Sequence, residues 1–179
     1  MANTKRWYAV CSNNYSENGL TKRKERVCMY DMELDYIKEL KTTELVRIIE
    51  NLEGYEETSE ALWVLRKRDP QKALELGMDI LENDKGDEFL QAITWNFIID
   101  IDVAKTINAI VERTAKIGNV LLKDIIKEVC FIKDLSLLPQ SLVKQIEQGY
   151  EMFSEKDKVE VHDYFVKFIS RLEENGLLY

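Results

Sequence analysis

Apolar residues recur at intervals of three and four positions from about residue 33 to the end of the chain. This period places side chains on a single face of an α-helix. The sequence holds only seven Gly and two Pro, which are too few for the many tight turns of an all-β fold. The pattern predicts helices near residues 33–40, 42–53, 58–68, 70–83, 87–99, 103–115, 119–132, 139–150 and 155–174.

Several of these helices begin with a capping signal. Asp69 stands directly before Pro70, and proline suits the first turn because its missing N–H would have no partner there. Asp102 is a second N-cap signal at the start of the helix near residues 103–115. Ser154 forms an approximate capping box with Asp157 three residues later. These signals predict where the helices start.

Residues 61–81 and 92–112 share one pattern of apolar positions. A shift of 31 residues superposes a helix, an Asp-containing turn and a second helix. The shift pairs Ala61 with Ala92, Asp69 with Asp100, Ala73 with Ala104, Leu76 with Ile107 and Ile80 with Val111. One step back, Leu45 and Ile49 match Leu76 and Ile80, and a slightly longer step forward puts Asp134 in the place of Asp100. A two-helix unit is therefore predicted to occur about four times.

Such a unit cannot bury its apolar stripe alone, so neighbouring units are expected to stack. The helix near residues 87–99 suits a central position because it is apolar on several sides, with Phe89, Leu90, Ile93, Trp95, Phe97, Ile98 and Ile99. The last helix suits a C-terminal cap because one face is apolar, with Val161, Phe165, Phe168, Ile169 and Leu172. The sequence thus predicts an all-α fold over residues 32–179: a right-handed α-solenoid of about four two-helix repeats with a C-terminal capping helix.

Residues 1–31 depart from this pattern. WYAVC and RVCMY flank a polar stretch that contains Asn-Gly, which fits a small β-hairpin; the alternative is a basic arm, extended or partly disordered. Six Lys or Arg against three acids give residues 1–31 a net charge of +3. Residues 32–179 then hold 19 basic and 30 acidic residues, a net charge of −11.

The composition is that of a globular protein, with 45% apolar and 32% charged residues. The sequence has neither a long apolar run nor an N-terminal segment like a signal peptide, so we expect a soluble cytoplasmic protein that does not bind membranes. The three cysteines, Cys11, Cys28 and Cys130, have no CxxC spacing. We expect reduced thiols, with Cys130 in the core; a Cys11–Cys28 disulfide or a metal site is the alternative.

Few residues could carry catalysis. His162 is the single histidine, which excludes two-histidine zinc motifs and the paired Glu-x-x-His motifs of di-iron bundles. We expect a surface histidine on the last helix, since the neighbouring Asp163 points about 100° away around the helix and is poorly placed to orient it as a base. Gly-rich phosphate loops and GxSxG motifs are also lacking. No catalytic residue, metal site or cofactor is predicted.

Two further motifs have ordinary explanations. DKGDE, at residues 84–88, is similar to part of a calcium-binding loop but lacks the alternating Asp/Asn ligands, so we expect a polar turn. Arg66, Lys67 and Arg68 fall in the last turn of a helix, where cations favourably meet the negative end of the helix dipole.

Basic residues lie beside aromatic ones in KRWY at residues 5–8, and TKRKER follows at residues 21–26. Such interleaving can bind single-stranded nucleic acid. The net charge of −11 on the rest of the chain repels phosphate, so we expect a solvated arm and no nucleic-acid partner.

Carboxylates crowd two predicted connections. The first holds Glu53, Glu56, Glu57 and Glu60, with no basic residue among residues 48–65; the second holds Asp79, Glu82, Asp84, Asp87 and Glu88, opposed only by Lys85. In a stack of two-helix units these connections emerge on the same edge. A basic protein docked there would relieve the mutual repulsion, whereas the alternative is a solvated face. The predicted partner-binding residues are these nine acids and Glu75, which is on the predicted helix 70–83 between the two connections.

The helix–Asp turn–helix pattern, with the spacing Leu74-Glu-Leu-Gly77-Met-Asp-Ile80-Leu81, resembles that of HEAT-like helical repeat proteins over roughly residues 33–150. As a small acidic chain with such a pattern, it is also similar to the immunity proteins of bacterial polymorphic toxin systems. That resemblance implies binding and neutralisation of a basic toxin, often a nuclease, without catalysis.

Three hypotheses follow. The first is a non-enzymatic protein-binding scaffold, a monomer or weak homodimer, with toxin neutralisation as its most concrete form. The second is a HEAT-like enzyme acting on nucleic acid, similar to DNA glycosylases, which would need a concave basic groove and is opposed by the charge of −11. The third is a structural subunit that stacks with itself, for which an exposed apolar terminal unit would be the sign.

Overall fold

The structure, a computed structural model, describes residues 32–177, and every regular element in this range is a helix. The all-α prediction is therefore confirmed. The predicted hairpin or arm over residues 1–31, with Cys11 and Cys28, lies outside the described residues. The α-helices are α1 (Thr42–Asn51), α2 (Tyr55–Arg68), α3 (Pro70–Glu82), α4 (Glu88–Ile98), α5 (Val103–Glu112), α6 (Asn119–Val129), α7 (Gln140–Met152) and α8 (Glu155–Glu174).

Two short 3-10 helices complete the described elements, Met32–Glu39 and Leu135–Leu137. We call Met32–Glu39 the N-terminal 3-10 helix; it occupies the position of the first predicted helix. Its anchors, Leu34 and the fully buried Ile37, are three residues apart. A spacing of three fits the 3-10 period as well as the α-helical one, so the apolar pattern does not distinguish the two.

The predicted caps are confirmed. Asp69 accepts a hydrogen bond from the backbone N–H of Lys72 at 3.0 Å, and Asp102 accepts one from Lys105 at 3.0 Å. Ser154 accepts from the backbone N–H of Asp157 at 3.2 Å and donates to its carboxylate at 2.6 Å. Each bond satisfies a donor that the first turn of a helix leaves unpaired.

These caps bear on the register of the predicted repeat. Asp69 caps α3 and Asp102 caps α5, and the two caps are 33 residues apart rather than 31. The 31-residue shift pairs buried Ala73 with Ala104, which is exposed. The 33-residue shift instead pairs Ala73 with Thr106, which is fully buried. Asp100, which the 31-residue shift pairs with Asp69, lies in the α4–α5 connection, two residues before the cap Asp102.

The helices pack in a regular order. Among the even-numbered helices, α2 contacts α4, α4 contacts α6, and α6 contacts α8. Among the odd-numbered helices, α1 contacts α3, α3 contacts α5, and α5 contacts α7. The helices α2, α3 and α4 also contact one another, which ties the two sets together. Each helix thus neighbours the helix two places along the chain.

The centre of the array lies at α3 and α4. Trp95 on α4 is fully buried, as expected for a central helix, and Leu90, Ile98 and Ile99 are buried with it. Gly77 lets α3 approach closely, because a Cβ there would lie 2.6 Å from Cγ2 of Ile98. Phe89, which the apolar pattern placed among the residues of this central helix, does not follow it into the core, since 60% of it is exposed.

The basic residues at the end of α2 act over long range, and the dipole explanation of them is incomplete. The guanidinium of Arg68 donates to the backbone carbonyls of Lys38 and Leu40. Arg66 pairs with Asp100 at 3.4 Å, and Lys67 lies 3.5 Å over the ring of Trp63. Arg66 and Arg68 therefore join α2 to its neighbours on both sides.

The predicted role of α8 is consistent with its packing. Val161, Phe168 and Leu172 are buried, and Phe165 and Ile169 are partly buried against the same cluster. Near its end, Arg171 donates to the carbonyls of Cys130 and Ile132, each at 2.7 Å. Among the described residues, no helix is long and apolar enough to cross a membrane.

Candidate functional site

Two connections between helices lie side by side. A depression of about 100 Å³ is lined by Leu52, Gly54 and Tyr55 from the α1–α2 connection and by Gly86, Asp87 and Leu90 from the α3–α4 connection. The two connections that carry the predicted acidic clusters are therefore next to each other. We call this surface the acidic edge and define it by Glu53, Glu56, Glu57, Asp84, Asp87 and Glu88.

Tight turns hold this edge in place. Leu52 ends α1 in the left-handed conformation, with φ of 51°, and its N–H bonds back to Ile49. In the second turn Asp84 and Gly86 have φ of 52° and 71°, values that Gly adopts freely and Asp tolerates better than most residues. Asp87 then caps α4 by accepting from Leu90 N–H at 2.8 Å. The stretch 84–88 is thus an inter-helix turn, as predicted.

The acidic edge extends to a third connection. The carboxylate of Glu88 accepts a hydrogen bond from the backbone N–H of Val120, in the first turn of α6, at 3.2 Å. It also lies against Gly118, where an added Cβ would come within 2.6 Å of its Oε1. Glu88 therefore has a structural role in addition to its exposed position, because it accepts a hydrogen bond at the start of α6.

Asp84 is neutralised, which the sequence did not indicate. The Arg113 side chain is only 2% exposed, and its guanidinium pairs with the carboxylate of Asp84. Arg113 also donates to the side-chain oxygen of Gln91 at 3.3 Å and to the carbonyl of Ala115 at 3.1 Å. One guanidinium thus binds the α3–α4 turn, α4 and the α5–α6 connection. Because its positive charge offsets that of the Asp84 carboxylate, Asp84 contributes less free negative charge than predicted.

Glu60 is a correction to the predicted site. It is 3% exposed, so it cannot meet a partner on the surface. It lies in the interface between α2 and the N-terminal 3-10 helix. Burial raises the pKa of its carboxyl group, while the charge of Lys38 opposes that rise and that of Asp35 adds to it. Charge counting along the chain could not reveal this burial, which depends on a neighbouring element.

Other carboxylates of the edge keep their charge exposed. Glu53 has a surface partner, Arg47, at 3.3 Å. Within residues 32–177, no basic side chain lies within ion-pair distance of Glu56, Glu57 or Asp87. These three carboxylates form the part of the acidic edge that is not neutralised locally.

The face of α3 carries the remaining predicted residues. Glu75 pairs with Lys72 at 2.9 Å, and Asp79 pairs with Lys85 at 2.7 Å. Glu82 has like-charged neighbours instead: burial raises the pKa of its carboxyl group, and the charges of Glu112 and Asp79 raise it further. Negative charge thus continues from the acidic edge onto α3 and α5.

Exposed aromatic rings accompany these carboxylates. Tyr55, between Glu53 and Glu56, is 37% exposed, and Phe89, next to Glu88, is 60% exposed. Aromatic residues are enriched at protein interfaces, where they supply large contact areas at low entropic cost. The apolar spacing groups Phe89 with the buried residues of its helix, so this exposed position could not be predicted from the sequence.

His162 and Cys130, two side chains of types that can act in catalysis, both have structural roles here. His162 is exposed on α8, and its Nδ1 lies 2.7 Å from the hydroxyl of Tyr150 on α7. The ring of Tyr150 stacks on Phe165 at 3.8 Å, so these residues join the last two helices. Burial raises the pKa of the Cys130 thiol to about 11, which keeps it protonated at neutral pH and confirms a core cysteine.

A metal site would need a cluster of ligands. In the described part of the chain, no group of three or more His, Cys, Asp or Glu side chains is arranged to hold a metal ion. No family model, curated protein or solved structure matches this chain.

Proposed function

We propose that this chain is a non-enzymatic protein-binding scaffold whose acidic edge receives a basic protein, most concretely a toxin that it neutralises as an immunity protein. The observation that carries the proposal is the position of Tyr55 and Phe89 beside the locally unneutralised carboxylates of Glu56, Glu57 and Asp87. Apolar rings surrounded by one sign of charge suit a partner that presents an apolar anchor among Lys and Arg side chains.

The proposed architecture is a right-handed α-solenoid of HEAT-like two-helix repeats. It is supported by the packing of each helix against the one two places along and by the matching caps at Asp69 and Asp102. In such a stack the connections between units recur along one edge. A row of turns can then contact an extended partner, which a single loop cannot do.

Electrostatic cost favours binding over simple solvation for the negative surface that continues from the acidic edge onto α3 and α5. Burial raises the pKa of the Glu82 carboxyl group and the charge of Glu112 raises it further, which means that the folded chain retains repulsion between like charges. Interspersed Lys residues would remove this cost on a surface that served solubility alone. A basic partner removes the same repulsion when it binds.

The test is partner capture from the native organism, followed by binding measurements on the identified protein. Glu56→Gln/Glu57→Gln is the test variant, and Glu173→Gln/Glu174→Gln, which removes the same charge from the exposed end of α8, is its control. We expect the first variant to weaken binding by at least about tenfold, mainly through slower association, and the control to have little effect.

A captured basic protein whose affinity is equal in both variants would exclude the acidic edge as its site. If the purified chain instead retarded duplex DNA at physiological salt, the scaffold proposal would be wrong and the nucleic-acid enzyme would be favoured.

A further inference from the structure

The direction of the N-terminal 3-10 helix determines where the preceding chain begins. Arg68, at the end of α2, donates to the carbonyl of Lys38 in the last turn of the 3-10 helix and to that of Leu40 just after it. Further back, Lys38 and Asp35 act on the charge of Glu60, which is eight residues before Arg68 on the same helix. The 3-10 helix therefore runs alongside α2 in the same direction, and its first residues lie toward the start of α2.

The start of α2 belongs to the acidic edge. Glu56 is four residues before Glu60, which corresponds to a rise of about 6 Å along the helix. Within the described part of the chain, Glu56 and Glu57 lack an ion-pair partner, and residues 48–65 contain no basic residue. The chain that precedes Met32 thus starts close to carboxylates that have no local counter-charge.

The sequence supplies a complementary segment within reach. Residues 22–26 read KRKER and hold four basic residues against one acid. Arg26 is six residues before Met32, and six extended residues span about 20 Å. A tethered segment of this kind is present at an effective concentration on the order of millimolar, so weak ionic contacts suffice to fill the edge.

We propose that residues 22–26 bind the acidic edge of their own chain and occupy the surface around Tyr55, Glu56 and Glu57 until a basic partner displaces them. The competition with a partner rests on the proposed function, whereas the intramolecular contact does not. The apolar lining from Leu52, Tyr55 and Leu90 receives the aliphatic stems of the Lys and Arg side chains, while the carboxylates meet their charged ends.

Carbodiimide crosslinking of the full-length chain tests the contact directly, because it joins a lysine amine to a carboxylate only where the two touch. We expect mass spectrometry to find Lys22 and Lys24 joined to Glu53, Glu56 or Glu57 at least about ten times more often than to Glu173 or Glu174. A mixture of light and heavy isotope-labelled chains should give links within one chain only. Links spread evenly over the surface, or between chains, would overturn the proposal.

A competition experiment measures the occupancy. The probe is a fluorescent peptide, LTKRKERV, with the sequence of residues 20–27. Lys22→Gln/Lys24→Gln should bind this peptide about three to ten times more tightly than the wild-type chain does, because the internal competitor is weakened. Lys5→Gln/Arg6→Gln removes the same charge from residues 1–31 and should leave the affinity unchanged.

Equal affinity in all three chains, or no binding to any of them, would exclude residues 22–26 as the occupant of the edge. Either result would leave the capture of a basic partner to be decided separately by the Glu56→Gln/Glu57→Gln variant, so the two proposals can fail independently.

Discussion

At the scale of single residues, the buried carboxylate of Glu60 makes stability depend on its own protonation. A group whose pKa is raised by folding stabilises the fold below its ordinary pKa, and this contribution is lost as pH rises through the raised value. Burial raises the pKa of Glu60 above the ordinary 4.5, so the ionised side chain is penalised at neutral pH. The fold keeps this cost even though Lys38 lies nearby.

Glu60→Gln should therefore stabilise the chain at pH 7, by about 1 kcal/mol, the usual scale of a single substitution. The advantage over the wild type should shrink as pH falls toward 4.5, because the wild-type side chain then becomes neutral as well. Urea unfolding at several pH values measures both effects. Glu50→Gln, on the exposed side of α1, is the control, and an equal gain from it would show that net charge and not burial is responsible.

Arg113 presents the opposite case, a buried cation with partners on three segments. Arg113→Gln should lower the free energy of unfolding by roughly 2 to 4 kcal/mol, because it removes the charge that Asp84 faces and takes the guanidinium donor from the side-chain oxygen of Gln91. Arg113→Lys should recover only part of the loss, since an ammonium group cannot reach all three partners. Chemical denaturation of both variants measures these losses, with Lys116→Gln on the exposed α5–α6 connection as control. A loss from Lys116→Gln equal to that from Arg113→Gln would contradict the assigned role.

At the scale of helices, the caps identify where individual helices begin. Asp102 accepts from the first turn of α5, and this bond to Lys105 N–H lowers the pKa of its carboxyl group. The resulting stability is present above the ordinary pKa of Asp and is lost as pH falls through the lowered value. Asp100, two residues earlier, makes a surface pair with Arg66.

Asp102→Ala should thus cost about 1 kcal/mol at pH 7, the typical value of an N-cap, whereas Asp100→Ala should cost less than about 0.5 kcal/mol. The two variants change the same residue type in the same connection, so each controls for the other. Thermal and urea denaturation at pH 7 measure the difference. A larger loss from Asp100→Ala would contradict the assignment of Asp102 as the residue that caps α5.

The sequence predicted those features that depend on local order. Helix ends were found because N-cap residues and the 3.6-residue period act within one turn. The two acidic connections, which were predicted to be neighbours, do line one depression. Arg68, Arg113 and Glu60 could not be assigned in this way, since their partners lie at least about twenty residues away in sequence or on a different element. Phe89 fits the apolar pattern of its helix but lies outside the packed face.

At the scale of the whole molecule, two apolar clusters meet at α3 and α4. One cluster holds Ile37, Leu45 and Leu62 among its members, and the other holds Trp95, Ile126 and Phe168. Phe97 and Ile101 pack against both. In an array where each helix contacts its near neighbours, cooperative unfolding depends on such shared contacts.

Phe97→Ala should separate the unfolding of the two clusters. The wild-type chain is expected to unfold in a single step, with amides of α1–α2 and of α6–α8 losing hydrogen-exchange protection at the same urea concentration. Truncating Phe97 should cost about 3 kcal/mol and let α1–α2 lose protection first, because that cluster has fewer buried residues to support it. Phe165 packs against the larger cluster only. Phe165→Ala should lower the overall stability, but α1–α6 should still lose hydrogen-exchange protection at one urea concentration, as in the wild type. If α1–α2 and α6–α8 still lost protection together in Phe97→Ala, the contacts of α3 with α4 and of α2 with α4 would be sufficient to couple the clusters.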